Sequence, residues 1–113
     1  MRYEVFTTSL ESIDENHSVL VQVDAVASIF DEHFPGRPIV PGAFTVGFVL
    51  SCCRHLLPGA SLRVKRVVFM TPITPGECLD LQFSGFDRPG AKEVGFVLKT
   101  SRSVHCRGSV MYD

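Results

Sequence analysis

Tryptophan is absent from this 113-residue chain, tyrosine occurs only twice, and there is no surplus of either charge. Eleven lysines and arginines against twelve aspartates and glutamates leave a formal net charge of −1. A general nucleic-acid-binding protein needs a basic surplus to neutralise phosphates, so the charge balance argues against that class. No apolar run approaches the roughly 20 residues that span a bilayer, and acids interrupt the first residues where a signal peptide would be apolar. We therefore expect a cytoplasmic protein that binds neither nucleic acid nor a membrane.

Paired cysteine motifs are missing too. The four cysteines are Cys52, Cys53, Cys78 and Cys106, and no two of them stand in a C-x-x-C spacing. Such a set is a poor framework for disulfides or for zinc, so we expect reduced, largely buried thiols and no metal site.

Hydrophobic residues are plentiful at 45% of the chain, enough for one core, and we expect a single domain over residues 1–113. A domain this small buries a modest share of its surface, so dimerisation would help it. Alternating apolar residues and turn clusters predict six strands, and one segment has the helical period. The predicted strands are Tyr3–Ser9, Ser18–Ala25, Leu62–Phe69, Glu77–Phe86, Glu93–Thr100 and Val104–Tyr112.

The predicted helix runs from about Gly42 to Leu57, where a "PG" pair stops it. Its apolar stripe consists of Val46, Val49, Leu50, Cys53 and Leu57. A turn cluster joins the first two strands into a hairpin, and short turns join most of the others. The pattern predicts an α+β fold, an antiparallel sheet wrapped over one buried helix.

The segment "HFPGRPIVPG" places His33 on a loop stiffened by prolines, and the loop ends where the helix begins at Gly42. A helix N-terminus offers unpaired N–H groups to a carbonyl or oxyanion, and glycine lets such a guest come close. An imidazole beside it could move a proton, which suits proton abstraction next to a thioester carbonyl. The residues alone leave open that His33 only hydrogen-bonds its own loop.

The same segment resembles the active-site motif of the FabZ/FabA family of 3-hydroxyacyl-[acyl-carrier-protein] dehydratases. Downstream, "VKRVVFMTPITPGECLDLQ" and "HCRGSVMYD" are similar to the family's strand–loop–strand segment and last strand. The resemblance covers the chain from about Ser18 to its end, whereas the first two dozen residues lack the family's usual N-terminal motif. It implies the hotdog fold and elimination of water from a 3-hydroxyacyl thioester, giving a trans-2-enoyl thioester in fatty-acid or polyketide/polyene-type synthesis.

The resemblance also implies roles for particular residues and partners. His33 matches the catalytic histidine, and Gly42 matches the glycine whose N–H polarises the thioester carbonyl. The substrate arrives on the phosphopantetheine arm of acyl carrier protein, no other cofactor is needed, and the site is shared across a dimer. The positions that match the acyl tunnel are Phe34, Ile39, Val40 and Phe44.

The chain departs from the family at the helix carboxylate, which lies fourteen positions after the histidine and is Gly47 here (47 − 33 = 14). Ala43, Gly47 and Ser51 form a stripe of small residues that indicates either tight helix–sheet packing or a cavity widened for a bulky acyl chain. Asp31, Glu32 and Asp80 are poor substitutes for the acid, and Ser51 could hold a water. His33 would then act alone, or a partner subunit would supply the acid.

Local basic residues fit an acidic carrier protein, although ordinary solvated surface explains them as well. The candidates for this contact are Arg37, Lys65 and Arg66. His17, His55 and His105 receive no role. Two alternatives to a complete dehydratase stay open. One is a catalytically incomplete, carrier-binding subunit of a heterodimeric dehydratase, and the other is an acyl thioesterase, for which no acid is well placed.

Overall fold

A computed structural model of the chain describes residues 5–8, 17–24, 39–86, 90 and 92–113. Within these residues the order β-β-α-β-β-β-β is confirmed. The elements are β1 Phe6–Thr7, β2 Ser18–Val23, α1 Gly42–Leu56, β3 Leu62–Phe69, β4 Cys78–Ser84, β5 Glu93–Lys99 and β6 Val104–Tyr112. The helix and three strands end one or two residues inside the predicted bounds. Of the predicted strand Tyr3–Ser9, residues Tyr3, Glu4 and Ser9 lie outside the described residues.

All neighbouring strands pair antiparallel in one six-stranded sheet, in the order β1-β2-β4-β5-β6-β3. The predicted pairing of the first two strands is confirmed, with Phe6 opposite Val23. Consecutive strands β4, β5 and β6 lie side by side. Strand β3 follows the helix and pairs with β6, at the edge of the sheet.

Strand β2 shows how the sheet builds the core. Val19, Val21 and Val23 are buried, whereas Leu20 between them is 71% exposed, because successive side chains point to opposite faces. The same alternation buries Leu79, Leu81 and Phe83 on β4 and their counterparts on β5. Each fully buried aliphatic side chain contributes about 2 kcal/mol to the free energy of unfolding.

Helix α1 lies against this inner face through Thr45, Val49, Cys52 and Cys53, which are all buried. The predicted stripe is therefore buried at Val49 and Cys53 and only partly buried at its other members, Val46, Leu50 and Leu57. The fully buried face also includes Thr45 and Cys52, which the predicted stripe left out. The helix ends where the Leu57 N–H donates to the Cys53 carbonyl, just before the predicted "PG" stop.

The α+β architecture, one helix packed on a curled antiparallel sheet, is thus confirmed in the described residues. In that part of the chain no helix has the length and apolarity needed to cross a membrane.

Candidate functional site

A cavity of about 480 Å³ opens at the N-terminus of α1. We call it the Gly42 cavity. Its walls come from the segment before the helix, the first turn of the helix, the segment that follows β3, and β6. The lining residues are Ile39, Val40, Gly42, Thr45, Phe69, Met70, Thr71, Pro72, Ile73 and His105.

The first turn of α1 forms one wall. Pro41 precedes it in an extended conformation (φ −60°, ψ 140°), and Gly42 is the first helical residue. The Phe44 N–H donates to the Pro41 carbonyl at 3.0 Å, which closes the turn. The earlier N–H groups of a helix have no partner within it and carry the positive end of the helix dipole. This wall can therefore donate hydrogen bonds to a carbonyl oxygen.

Glycine at position 42 leaves space between the first turn of α1 and the Phe69 ring. A Cβ atom on Gly42 would lie 2.8 Å from Cζ of Phe69, well inside van der Waals contact. The Phe69 ring is 55% exposed and lines the cavity, so a side chain at position 42 would displace part of the cavity wall. Glycine at this position keeps both the backbone and the ring in place.

His105 on β6 also lines the cavity, and the sequence analysis assigned it no role. Its side chain is 2% exposed, Nδ1 lies 3.0 Å from the Thr71 carbonyl oxygen, and Nε2 lies 3.3 Å from Oε1 of Glu77. The Nε2–Oε1 contact is close enough for an ion pair but is not aligned as a hydrogen bond. Buried side-chain nitrogens usually have a hydrogen-bond partner, so Nε2 of His105, which has none among the described residues, is an exception.

A break in strand alternation explains why His105 was missed. Leu98 pairs with Cys106 while Lys99 pairs with Val104, so β6 carries His105 as an extra residue. In such a bulge two consecutive side chains share a face, and both His105 and Cys106 are buried. No turn residue marks the bulge, and the polar histidine within an apolar strand was the one available signal.

The structure brings together only some of the predicted site residues. Ile39, Val40 and Gly42 line the same cavity, whereas Phe44 is half-buried against the core and outside the lining. His33, Phe34 and Arg37 lie outside the described residues.

Gly47 does not line the Gly42 cavity. It is exposed, and no described atom beyond its own helix comes within 4 Å of the position a Cβ would take. The explanation by tight helix–sheet packing is therefore wrong, because this face of α1 points away from the sheet. The Ser51 hydroxyl donates to the Gly47 carbonyl at 3.0 Å, a common bond for serine within a helix.

The predicted carrier-protein contacts separate into two environments. Lys65 Nζ lies 2.8 Å from Glu93 Oε1, so its charge is matched on the surface. Arg66 instead lines a depression of about 310 Å³ together with Arg107, on the outer face of the sheet. Ser109, which is Arg66's partner across the strands, is also in its lining.

All four cysteines are free, and three are buried. Burial raises the pKa of the Cys52 thiol to about 12, and it raises the pKa of Cys53 and of Cys106 to about 11. Such thiols stay protonated at neutral pH and are poor nucleophiles. The described residues contain no group of three or more His, Cys, Asp or Glu side chains that could hold a metal ion.

Comparison with known proteins gives one family. The family model of the ApeI-like dehydratases, described as ApeI dehydratase, matches residues 9–109. The 3-hydroxyacyl-[acyl-carrier-protein] dehydratase FabZ of Rhizorhabdus wittichii is 29% identical in an alignment of length 90 that covers 70% of this chain. The chain spans 57% of the length of that relative.

Two solved structures share the fold over almost the whole chain. The dehydratase heterocomplex ApeI:P from Xenorhabdus doucetiae superposes with a TM-score of 0.73, 22% identity, and coverage of 99% of this chain and 98% of that one. An uncharacterised protein from Erwinia carotovora subsp. atroseptica superposes with a TM-score of 0.71 and 22% identity. The match covers 98% of this chain and 94% of that one. These likenesses show that the fold is the hotdog fold expected from the motif.

Proposed function

The chain belongs to the ApeI-like dehydratase family, and from this premise we propose that it eliminates water from a 3-hydroxyacyl thioester carried on acyl carrier protein. The product would be a trans-2-enoyl thioester. The observation that carries the proposal is the Gly42 cavity, in which a helix N-terminus faces a space large enough for the end of an acyl chain.

The proposed chemistry starts at the helix. The thioester carbonyl accepts a hydrogen bond from the first turn of α1, which stabilises the negative charge that develops on its oxygen when the α-proton leaves. His33 takes this proton onto a ring nitrogen, as the motif implies. The bond from the β-carbon to the hydroxyl then breaks, the hydroxyl leaves with a proton as water, and the α–β double bond forms.

The last step needs a group that donates a proton to the leaving hydroxyl. Gly47 cannot donate one, so His33 returns its own proton or a second subunit brings an acid. The exposed helix face at Gly47 has room for a side chain of another subunit. Strand β3 is at the sheet edge, and its exposed Val64 and Phe69 would be covered by a partner.

A partner at this sheet edge could form either of two assemblies. A homodimer would complete each site with a second copy of this chain. A heterodimer would complete it with a chain that carries the missing acid, and ApeI:P is a dehydratase heterocomplex of similar fold. In the second case this chain is the catalytically incomplete member.

A carrier protein offers an acidic surface and a phosphate on its prosthetic arm. Arg66 and Arg107 share a depression on the outer sheet face, which supports an electrostatic contact there, with Arg37 as a further candidate. Lys65 is a weaker candidate because Glu93 neutralises it.

The test is mass spectrometry of carrier protein loaded with 3-hydroxyacyl chains of several lengths and incubated with the purified chain. We expect the loss of one water, abolished in His33→Ala and unchanged in His55→Ala, a histidine exposed at the far end of α1. Release of the acyl group with a free thiol would instead indicate a thioesterase. No reaction alone, but water loss once an acid-bearing family member is added, would indicate the heterodimer.

A further inference from the structure

His105 joins β6 to the segment that forms the cavity wall. Its carbonyl oxygen accepts hydrogen bonds from the Met70 N–H at 2.9 Å and the Thr71 N–H at 3.3 Å. Its ring approaches the same segment, with Nδ1 3.0 Å from the Thr71 carbonyl oxygen. A carbonyl oxygen only accepts, so Nδ1 carries the hydrogen, and Nε2 is the atom that faces Glu77.

Glu77 holds the other end of this segment, residues 70–77, which we call the wall loop. Its Oε2 accepts from the N–H of Thr74 at 2.7 Å and from the Thr74 hydroxyl at 3.1 Å. Its Oε1 lies 3.3 Å from Nε2 of His105. His105 therefore contacts both ends of the wall loop, the start through its carbonyl oxygen and Nδ1 and the end through the approach of Nε2 to Glu77.

The wall loop in turn holds the segment that leads into α1. The Val40 N–H donates to the Ile73 carbonyl at 2.8 Å, and both side chains are buried. Val40 lies two residues before Gly42, with the rigid Pro41 between them. A shift of Ile73 would thus move the first turn of the helix relative to the cavity.

We propose that His105, through its contacts with Thr71 and Met70, is a positioning residue that sets the Gly42 N–H in the wall of the cavity through the wall loop. The inference rests on the proposed dehydratase function for its catalytic consequence. An apolar residue would fill the bulge of β6 without the cost of burying a polar ring, so stability alone gives no reason for a histidine here. Reaction rates, by contrast, respond strongly to displacements of about 1 Å.

The test compares four forms of the chain. His105→Leu removes both polar contacts, His105→Asn keeps an N–H close to the Nδ1 position, and Cys106→Ala is the control. Cys106 is the neighbouring buried residue of the same strand, and its side chain makes no hydrogen bond to the wall loop among the described residues. The first readout is hydrogen exchange of the Val40 amide. The second is the turnover number and KM for water loss.

We expect exchange at Val40 to be at least tenfold faster in His105→Leu than in Cys106→Ala, and turnover to fall at least tenfold with KM within twofold. His105→Asn should restore most of both. Unchanged exchange in His105→Leu would overturn the inference. So would His105→Asn with normal exchange but no turnover, because the ring would then transfer a proton. If the unmodified chain is inactive with every substrate, the proposed function fails, and the exchange readout still decides whether His105 positions the helix.

Discussion

At the scale of single residues, three glycines carry three different constraints. At Gly42 a Cβ would press on the exposed ring of Phe69, which can move. At Gly108 a Cβ would collide with the carbonyl oxygen of Arg66, which belongs to the paired backbone of β3 and cannot move alone. Gly47 meets no described neighbour. A side chain is thus limited by a movable ring at the first position, by fixed backbone at the second, and by no described residue at the third.

Alanine at two of these positions should move stability in opposite directions. Gly108→Ala forces β6 away from β3 and should lower the free energy of unfolding by about 3 kcal/mol or more. Gly47→Ala removes a flexible residue from an exposed helix and should raise it by up to about 1 kcal/mol, or Tm by about 4 °C. Thermal and urea unfolding measure both. A neutral Gly108→Ala would contradict the close approach of the two strands.

At the scale of elements, α1 presents one face to the core and one to its surroundings. The inner face is filled by Val49, Cys52 and Cys53, while the outer face carries Gly47 and Ser51. A substitution on the outer face can therefore add chemistry without disturbing the packing of the helix on the sheet.

Gly47→Glu should place an acid at the helix position where the resemblance to the FabZ/FabA motif implies one. If the leaving hydroxyl lacks an efficient proton donor, this variant should accelerate water loss at least tenfold, a modest share of what general acid catalysis supplies. Gly47→Gln, with the same shape and no acidic proton, is the matched control and should give no gain. Equal rates for the two variants and the unmodified chain would mean that another group already protonates the hydroxyl.

The elements also show what could be predicted from sequence. Strand β2 follows strict alternation, so its buried valines and its exposed Leu20 were readable directly. The loop motif located Ile39, Val40 and Gly42, and the cavity contains all three. His105 was missed because the bulge that turns it inward is created by pairing with β5, and the only local sign was a polar histidine within the strand. Which residues of α1 are most deeply buried likewise depends on how the helix packs on the sheet. The helical period of the sequence alone does not specify this packing.

At the scale of the whole molecule, the buried thiols make stability depend on alkaline pH. The folded protein raises the pKa of Cys52 from 9.0 to about 12, so above pH 9 the unfolded chain binds fewer protons than the folded one. Stability from this group is complete below pH 9 and is lost as the pH rises toward 12. The same sign holds for Cys53 and Cys106, whose pKa values are raised to about 11.

The measurable result is a fall in the free energy of unfolding from pH 9 to pH 11 that is steeper than it would be without the buried thiols. Each buried thiol contributes about 1.4 kcal/mol per pH unit to this slope. Cys52→Ala should reduce the slope by that amount, and urea unfolding at several pH values measures it. An identical slope in the variant would show that Cys52 ionises equally well in the folded protein.

The order of the strands also bears on how the chain comes together during synthesis. Strand β6 is made last of the seven elements, yet it lies between β5 and β3 and is the only described strand that pairs with β3. Until β6 has left the ribosome, β3 has no neighbour in the sheet, and the wall loop has no His105 to hold it. The cavity therefore takes shape in a final step that draws both halves of the chain together at once, and a ribosome that stalls before residue 104 would leave the sheet in two unjoined pieces.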